Sequence, residues 1–363
     1  MRTFSPCCMT VVVAAAAIAT LVAVMPAQAQ NSPPDELTLQ PTPADRNAAL
    51  AAKAGPQHAM PANNAAGRTL RARQIAQRGP IDSGSSGAHW GGRILQYAGD
   101  LTYQGGPVLK SAVSHAIYLQ MQPGGACPIA TCWGDPEGFL RDLGNSEFIH
   151  VIDQYIGLSD ANRYTVEFHA TVQYASQATP LLDSDIQAFV HAVAAQSGAS
   201  GYGHIYHVFL PPGQDECFYD STSELCYSPD NPATFYFCAY HDYADFPDIG
   251  HVIYTVQPYQ NVPGCQVQPG TANGELVDST DSTLNHETFE SITDPDVDAW
   301  KNIGADYLDG AEIADECQFY VSLDGQGYGD VPTFLIGARR YSVQLMYSNE
   351  QHACSSAAWR GYP

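Results

Sequence analysis

Eight cysteines that follow an export signal constrain this chain more than any other feature. Arg2 precedes an apolar run from Val11 to Met25, then Pro26 and Ala27-Gln28-Ala29. A positive start, an apolar core and a small-x-small site together read as a secretory signal (residues 1–29) with cleavage after Ala29. The run is shorter than the ~20 apolar residues of a membrane helix, and no later stretch approaches that length. The mature chain is therefore expected to be exported, soluble and without a membrane span. In an oxidising compartment an even set of cysteines defaults to disulfides. Here they fall as near neighbours, Cys127/Cys132, Cys217/Cys226, Cys238/Cys265 and Cys317/Cys354, and sequential pairing is the expectation. No CxxC occurs, which speaks against a zinc cluster of paired cysteines.

Charge divides the remainder. The 363 residues carry a net charge of −23, but residues 30–93 sum to +3 and the rest of the chain from Ile94 to −27. Phosphate backbones repel so acidic a body, so no nucleic-acid partner is expected. Residues 30–88 are rich in Ala, Pro, Gln and Asn and read as a low-complexity leader or propeptide, with Arg68, Arg71, Arg73 and Arg78 concentrating its positive charge. Residues 89–363 are expected to form a single acidic domain.

Within that body, residues 111–122, 164–174, 203–213, 233–241 and 250–259 have the β-branched and aromatic content of strands. Residues 136–157 and 183–198 have helical spacing, and a third helix is expected from about Ser282 to Asp294, stopped by Pro295. Strands and helices mix without strict alternation. The expected class is α/β or α+β, a mixed sheet with flanking helices stapled by disulfides.

The third helix carries the chemistry. Its text, LNHETFESITDPDVDAW, contains HExxE. His286 and Glu290 are four residues apart, so on a helix both project from one face and can clamp one metal ion. Glu287 stands where the general base of HExxH metallopeptidases stands, beside the first ligand. Zinc accepts carboxylate oxygen, and a catalytic site wants three protein ligands with a position left for water. Glu312, twenty-two residues after Glu290 in GAEIADEC, is the expected third ligand, with Asp315 as its support or substitute. Zinc is thus the expected cofactor, and the helix is read as zincin-like. Calcium is the rival: Asp294, Asp296 and Asp298 alternate, and Asp324 and Asp330 flank a Gly-rich loop, although neither run has EF-hand spacing.

Other constellations are weaker. His204 and His207 fall on opposite faces of a strand. His241, close after Cys238, reads as a satisfied core histidine, with an approach to the metal helix as the alternative. No GxSxG elbow occurs in a strand–turn–helix setting. Two of the many carboxylates could serve a glycoside-active enzyme, but no pair stands out.

The segments LTYQGGPVL, FCAYH, VIYTVQPY with GC, NHETFESITDPDVDAW, EIADEC and YSVQLMYSNEQHAC occur in that order. Together they resemble the phosphate-induced protein 1 family, which includes the EXORDIUM-like extracellular proteins, over roughly residues 101–354. Its most specific part is HExxExxTDP…W…EIxDxC, matched by His286, Glu287, Glu290, Thr293, Asp294, Pro295, Trp300, Glu312, Asp315 and Cys317. The chain departs from the family at the insert around Cys217 and Cys226 and at CPIATC (Cys127 to Cys132), which is read as a loop. The resemblance implies a secreted, cell-wall-associated protein; it does not imply a secure enzymatic activity. Three functions are carried forward. The first is a secreted metal-dependent peptidase or hydrolase acting on a peptide or cell-wall-associated substrate. The second is a non-enzymatic extracellular protein associated with wall or glycan, and the third a glycoside-active enzyme.

Overall fold

The axis of the fold is a strand that is buried on both faces along most of its length. In the computed structural model it is β4 of one eight-stranded sheet built from β1 (Leu37–Leu39), β2 (Lys53–Ala54), β3 (His58–Pro61), β4 (Ala112–Gln122), β5 (Tyr164–Ala175), β6 (His204–Phe209), β7 (Phe237–Phe246) and β8 (Gly250–Gln257). The order is β1-β5-β4-β6-β8-β7, with β2 and β3 both on the outer edge of β7. Pairing is parallel from β1 to β8, and antiparallel between β7 and its neighbours β8, β2 and β3. The structure describes residues 37–70, 88–90, 93–95, 100–123, 127–175, 179–219, 224–302, 312–318 and 331–358. Residues 1–29, read as an export signal, Arg71, Arg73 and Arg78 of the basic run, and Asp324 and Asp330 lie outside them.

The chain leaves β4 in both directions, to β5 on one side and to β6 on the other. The two crossovers put helices on opposite faces. Helix α1 (Pro43–Ala51) and helix α3 (Asp183–Ser197) cover one face, and helix α2 (Pro136–Gly144) and helix α4 (Glu275–Thr293) the other. Two apolar layers result. Tyr206, Val208, Tyr240 and Tyr254 face α3, whereas Ile205, Phe209 and Ile253 face α4 and meet Leu284, Phe289 and Ile292. All four disulfides join the sequential pairs. The mixed α/β class and the disulfide staples match expectation.

Four expectations are corrected. Residues 37–61, read as leader, are part of the sheet. They run from β1 on one edge, through α1 across α3, to β2 and β3 on the opposite edge, covering both edges with a strap. Composition hid this because the strap buries mainly small side chains, with Ala59, Met60 and Ala62 at its inner end. The helix expected over 136–157 stops at Gly144, which packs against the backbone of Tyr164 so closely that a Cβ there would lie 2.2 Å from its carbonyl oxygen. The following turns bury Phe148, Ile149, Val151 and Ile152 in a different direction.

The segment from Cys127 to Cys132, read as a loop, ends in a helical turn (Ile129–Cys132), and Cys132 is a core residue rather than part of any site. The Pro128 carbonyl starts the turn by accepting from the amides of Thr131 and Cys132. Trp133 then donates its indole proton to the carbonyl of Leu210 at 3.0 Å and lies against Tyr118. This contact draws the end of the turn, Cys132 included, into the apolar layer that also holds Phe209 and Leu284. The Cys127–Cys132 bond therefore pins a short turn to the core and exposes almost nothing of its second sulfur's residue.

The last correction concerns α4, which starts seven residues earlier than expected, at Glu275. From Asp278 to Thr293 every residue is buried, polar ones included. Thr280, Thr288, Ser291 and Thr293 donate their hydroxyl protons to the carbonyl four residues back. Ser279 and Ser282 accept from the backbone of Val267 and Gln344, and Asp278 accepts from Asn273. These bonds hold α4 in one rotational setting.

Candidate metal centre

That setting turns His286, Glu287 and Glu290 toward a buried space between α4 and the β7–β3 edge of the sheet. His286 Nε2 lies 3.1 Å from Glu290 Oε1 and 3.6 Å from Asp315 Oδ1. His241, on β7, points Nδ1 at Glu287 Oε2 (3.5 Å) and Glu290 Oε2 (3.6 Å), and its Nε2 lies 3.7 Å from Glu312 Oε2. His58, on the strap strand β3, places Nδ1 3.3 Å from Glu312 Oε1 and Nε2 2.5 Å from Asp315 Oδ2. His58 stands directly opposite His241 in the β3–β7 register. Cys238–Cys265 and Cys317–Cys354 anchor the backbone within three residues of His241 and of Asp315.

The expected ligands are thus drawn into overlapping groups. His58, Glu290 and Asp315 form one; His241, Glu290 and Glu312 a second; His286, Glu287 and Glu290 a third. Glu290 belongs to all three. Glu312 is grouped with His241, and Asp315 with His58, while His286 approaches Asp315. Cys217, Glu224 and Cys226 also lie close together, but the two cysteines are bonded to each other. Cys127 and Cys132 are likewise spent on one another and belong to no ligand group. The cysteines serve the site only as backbone anchors.

The residues fit a metal by two physical tests. Apart from the direct hydrogen bond between His58 and Asp315, most of these imidazole–carboxylate contacts are 3.3 Å or longer, long for charge-assisted hydrogen bonds, but donors held at ~2.1 Å around a tetrahedral zinc stand ~3.4 Å apart. The second test is satisfaction. His241 Nδ1, His286 Nε2, both oxygens of Glu287 and of Glu312, and Glu290 Oε2 are buried and form no hydrogen bond among the described residues. Buried polar atoms are normally partnered. Outer groups also set the imidazole tautomers. His241 Nε2 donates to the carbonyl of Asp294 at 3.2 Å, which leaves Nδ1 as the lone pair. Gln344 donates its amide to the carbonyl of Ala314, so its Oε1 accepts from His286 Nδ1 at 3.2 Å. His286 then presents Nε2, the arrangement that outer hydrogen-bond partners impose on histidines at metal sites.

Without a cation, protons must balance the carboxylates. Burial disfavours the charged imidazole of His58, yet the fields of Glu312 and Asp315 push it up to about 9. Burial likewise opposes charge on His286, but Glu290 pushes it up to about 10. Glu290 is held well below the usual carboxylate range against the effect of its burial, chiefly by His286. Burial raises Glu287 and Glu312.

No protein-family model, curated protein or solved structure matches this chain.

Asp294, Asp296 and Asp298, the alternating run, do not gather around one point. Asp294 caps its own turn at the Ala299 amide, and Asp296 accepts from the Tyr202 hydroxyl and faces His251. His204 pairs with His115 on one face of the sheet. His207 faces α4, held between Ser114 and Thr255. His58, not His204 or His207, is the candidate ligand that sequence reasoning missed. A lone His in an Ala/Pro-rich stretch carries no periodic signal, and only the pairing of β3 with β7 delivers it.

The opposite face holds a second buried acidic group, Asp183, Glu216 and Asp242. Tyr240 Oη lies 2.8 Å from Asp183 and 3.1 Å from Glu216, and Tyr254 Oη 2.8 Å from Asp183 and 3.1 Å from Asp242. Each hydroxyl has one proton for two carboxyl neighbours, so at least one carboxyl is protonated. Burial raises all three, Glu216 and Asp242 well above the ordinary carboxylate range. The folded state therefore holds protons that the unfolded chain releases. The stability they contribute is full below the unfolded carboxyl value of about 4 and is lost as pH rises through the folded value. Glu216→Gln is expected to flatten the fall in urea midpoint as pH rises above the unfolded carboxyl value of about 4. Equal slopes in the two proteins would contradict this assignment.

Proposed function

We infer that this chain is a metal-dependent hydrolase of the zincin type, exported and acting on peptide bonds. The observation that supports it is one convergence: the HExxE face of α4 meets two histidines and two carboxylates from three other segments, with their lone pairs left over. His286, Glu290 and Asp315, completed by His58 or by His241 and Glu312, would hold the ion. A bound zinc supplies Lewis acidity and lowers the pKa of its water toward neutrality. Glu287, buried beside this group with both oxygens free of hydrogen bonds, would take the water's proton and deliver it to the leaving amine. Asp294 and Gln344 would keep His241 and His286 in the ligating tautomers.

The resemblance to EXORDIUM-like proteins stands as a proposal beside this one, and one observation favours its non-enzymatic form. His241, His286, Glu287, Glu290 and Glu312 are wholly buried, and His58 is only 8% exposed. A closed site of this kind suits a structural ion; in the hydrolase reading the strap must shift before substrate enters. Two variants separate the readings in a peptide-library assay with parallel metal analysis. The hydrolase reading expects Glu287→Gln to keep the metal and lose at least ~100-fold in kcat, the usual scale of general-base catalysis, and His286→Ala to lose the ion that His286 ligates together with the activity. Full metal in the wild type with no cleavage of any peptide, even after limited proteolysis of the strap, favours the structural reading.

A further inference from the structure

The cluster holds more donors than one ion can take, and they divide about a single side chain. We propose that the centre is dinuclear, two divalent cations bridged by the Glu290 carboxylate; this extends the metal-dependent reading above and rests on it. The two oxygens of Glu290 face different neighbours. Oε1 lies 3.1 Å from His286 Nε2 and accepts from the Asp315 amide at 3.3 Å, whereas Oε2 lies 3.6 Å from His241 Nδ1 and has no hydrogen bond. One carboxylate whose oxygens serve separate imidazoles on separate segments has the disposition of a bridging ligand. Paired catalytic ions ~3.5–4 Å apart are of a size that one carboxylate spans.

The remaining donors then sort into two sets. The first is His286 Nε2, His58 Nε2, Asp315 and Glu290 Oε1; the second is His241 Nδ1, Glu312 and Glu290 Oε2, with Glu287 beside them and left to act on water. His58 belongs with the first because its Nε2 lies beside Asp315 Oδ2, while its Nδ1 faces Glu312 Oε1 and can donate to it. A single ion at the first position leaves His241 Nδ1, Glu290 Oε2 and Glu312 Oε2 buried without a hydrogen bond, whereas a second ion gives each a bond. Charge agrees. Glu287, Glu290, Glu312 and Asp315 carry four negative charges when ionised, and two divalent cations neutralise them in a space that excludes water. Imidazole and carboxylate donors in these proportions suit zinc, manganese or cobalt(II) rather than calcium, which takes oxygen.

Native mass spectrometry of the full chain, reconstituted with zinc or with manganese and freed of loose ions, is expected to show two ions per chain. His241→Ala and His286→Ala should each retain one, read on protein whose far-UV circular dichroism matches the wild type. Because a buried variant can fail to fold, the wild type gives a second reading. Loaded with cobalt(II), it should show an exchange-coupled electron paramagnetic resonance signal that collapses to an isolated spin in the half-loaded protein. One ion per chain at saturating metal, or wild-type stoichiometry in His241→Ala, overturns the dinuclear centre and leaves the single-ion hydrolase standing. No ion at all overturns both.

Discussion

Glu290→Gln is expected to abolish metal binding and to erase the stabilisation that metal confers. Glu290 belongs to every ligand group in the cluster, so no regrouping of the others replaces it. Glutamine keeps its volume and offers one weak carbonyl donor in place of two charged oxygens. In the wild type, metal at 1,000 times its dissociation constant raises the unfolding free energy by about 4 kcal/mol, and a chelator removes that increment. In Glu290→Gln, thermal or urea unfolding with and without chelator should coincide. Loss of the carboxylate also leaves His286 Nε2 without its nearest acceptor, so the variant should unfold at lower urea than the chelated wild type. A metal-induced shift equal to that of the wild type would remove Glu290 from the site.

The second large effect belongs to the strap. His58→Ala is expected to destabilise the metal-free protein by about 3–5 kcal/mol, the scale on which a buried pair loses one member. His58 is the near partner of both Glu312 and Asp315, and without it these carboxylates stay buried without that counter-charge. Metal affinity should fall at least ~10–100-fold, the range already seen when only an outer partner of a ligand is removed. Adding Glu312→Gln to His58→Ala removes one of the two carboxylates left without that partner, so the double variant should recover part of the stability but none of the affinity. If His58→Ala behaves like an ordinary surface change, within about 0.5 kcal/mol, the strap carries no part of the site.

What can be read in advance follows from where each signal lies along the chain. Strands β4, β5, β6, β7 and β8 announce themselves by long β-branched and aromatic runs, because a parallel sheet covered on both faces requires them. The sequential disulfides follow from spacing, and each joins segments close along the chain. Spacing does not say how deep a staple lies: Cys132 is carried into the core by its neighbour Trp133, whose partners come from β4 and from the end of β6. His286, Glu287 and Glu290 are local to one helix, so their shared face is legible from the 3.6-residue period. Glu312 and Asp315 are legible by their distance along the chain from that helix, but which imidazole each meets is not. His241 and His58 depend on strand register: they oppose one another across β7 and β3, and no local pattern records that. The buried polar turns of α4 from Asp278 to Ser282 also mislead, since tertiary partners, not amphipathicity, hold them inside.

The central claim is that this buried cluster binds a metal, and crystals of the full chain test it most directly. Diffraction measured just above and just below the absorption edge of the bound ion, with the protein purified without added chelator, should give an anomalous peak within bonding distance of Glu290. The peak should lie between it and the ring nitrogens of His286 or His241. A featureless map there, in a folded protein whose imidazoles and carboxylates hydrogen-bond directly to one another, would contradict the account.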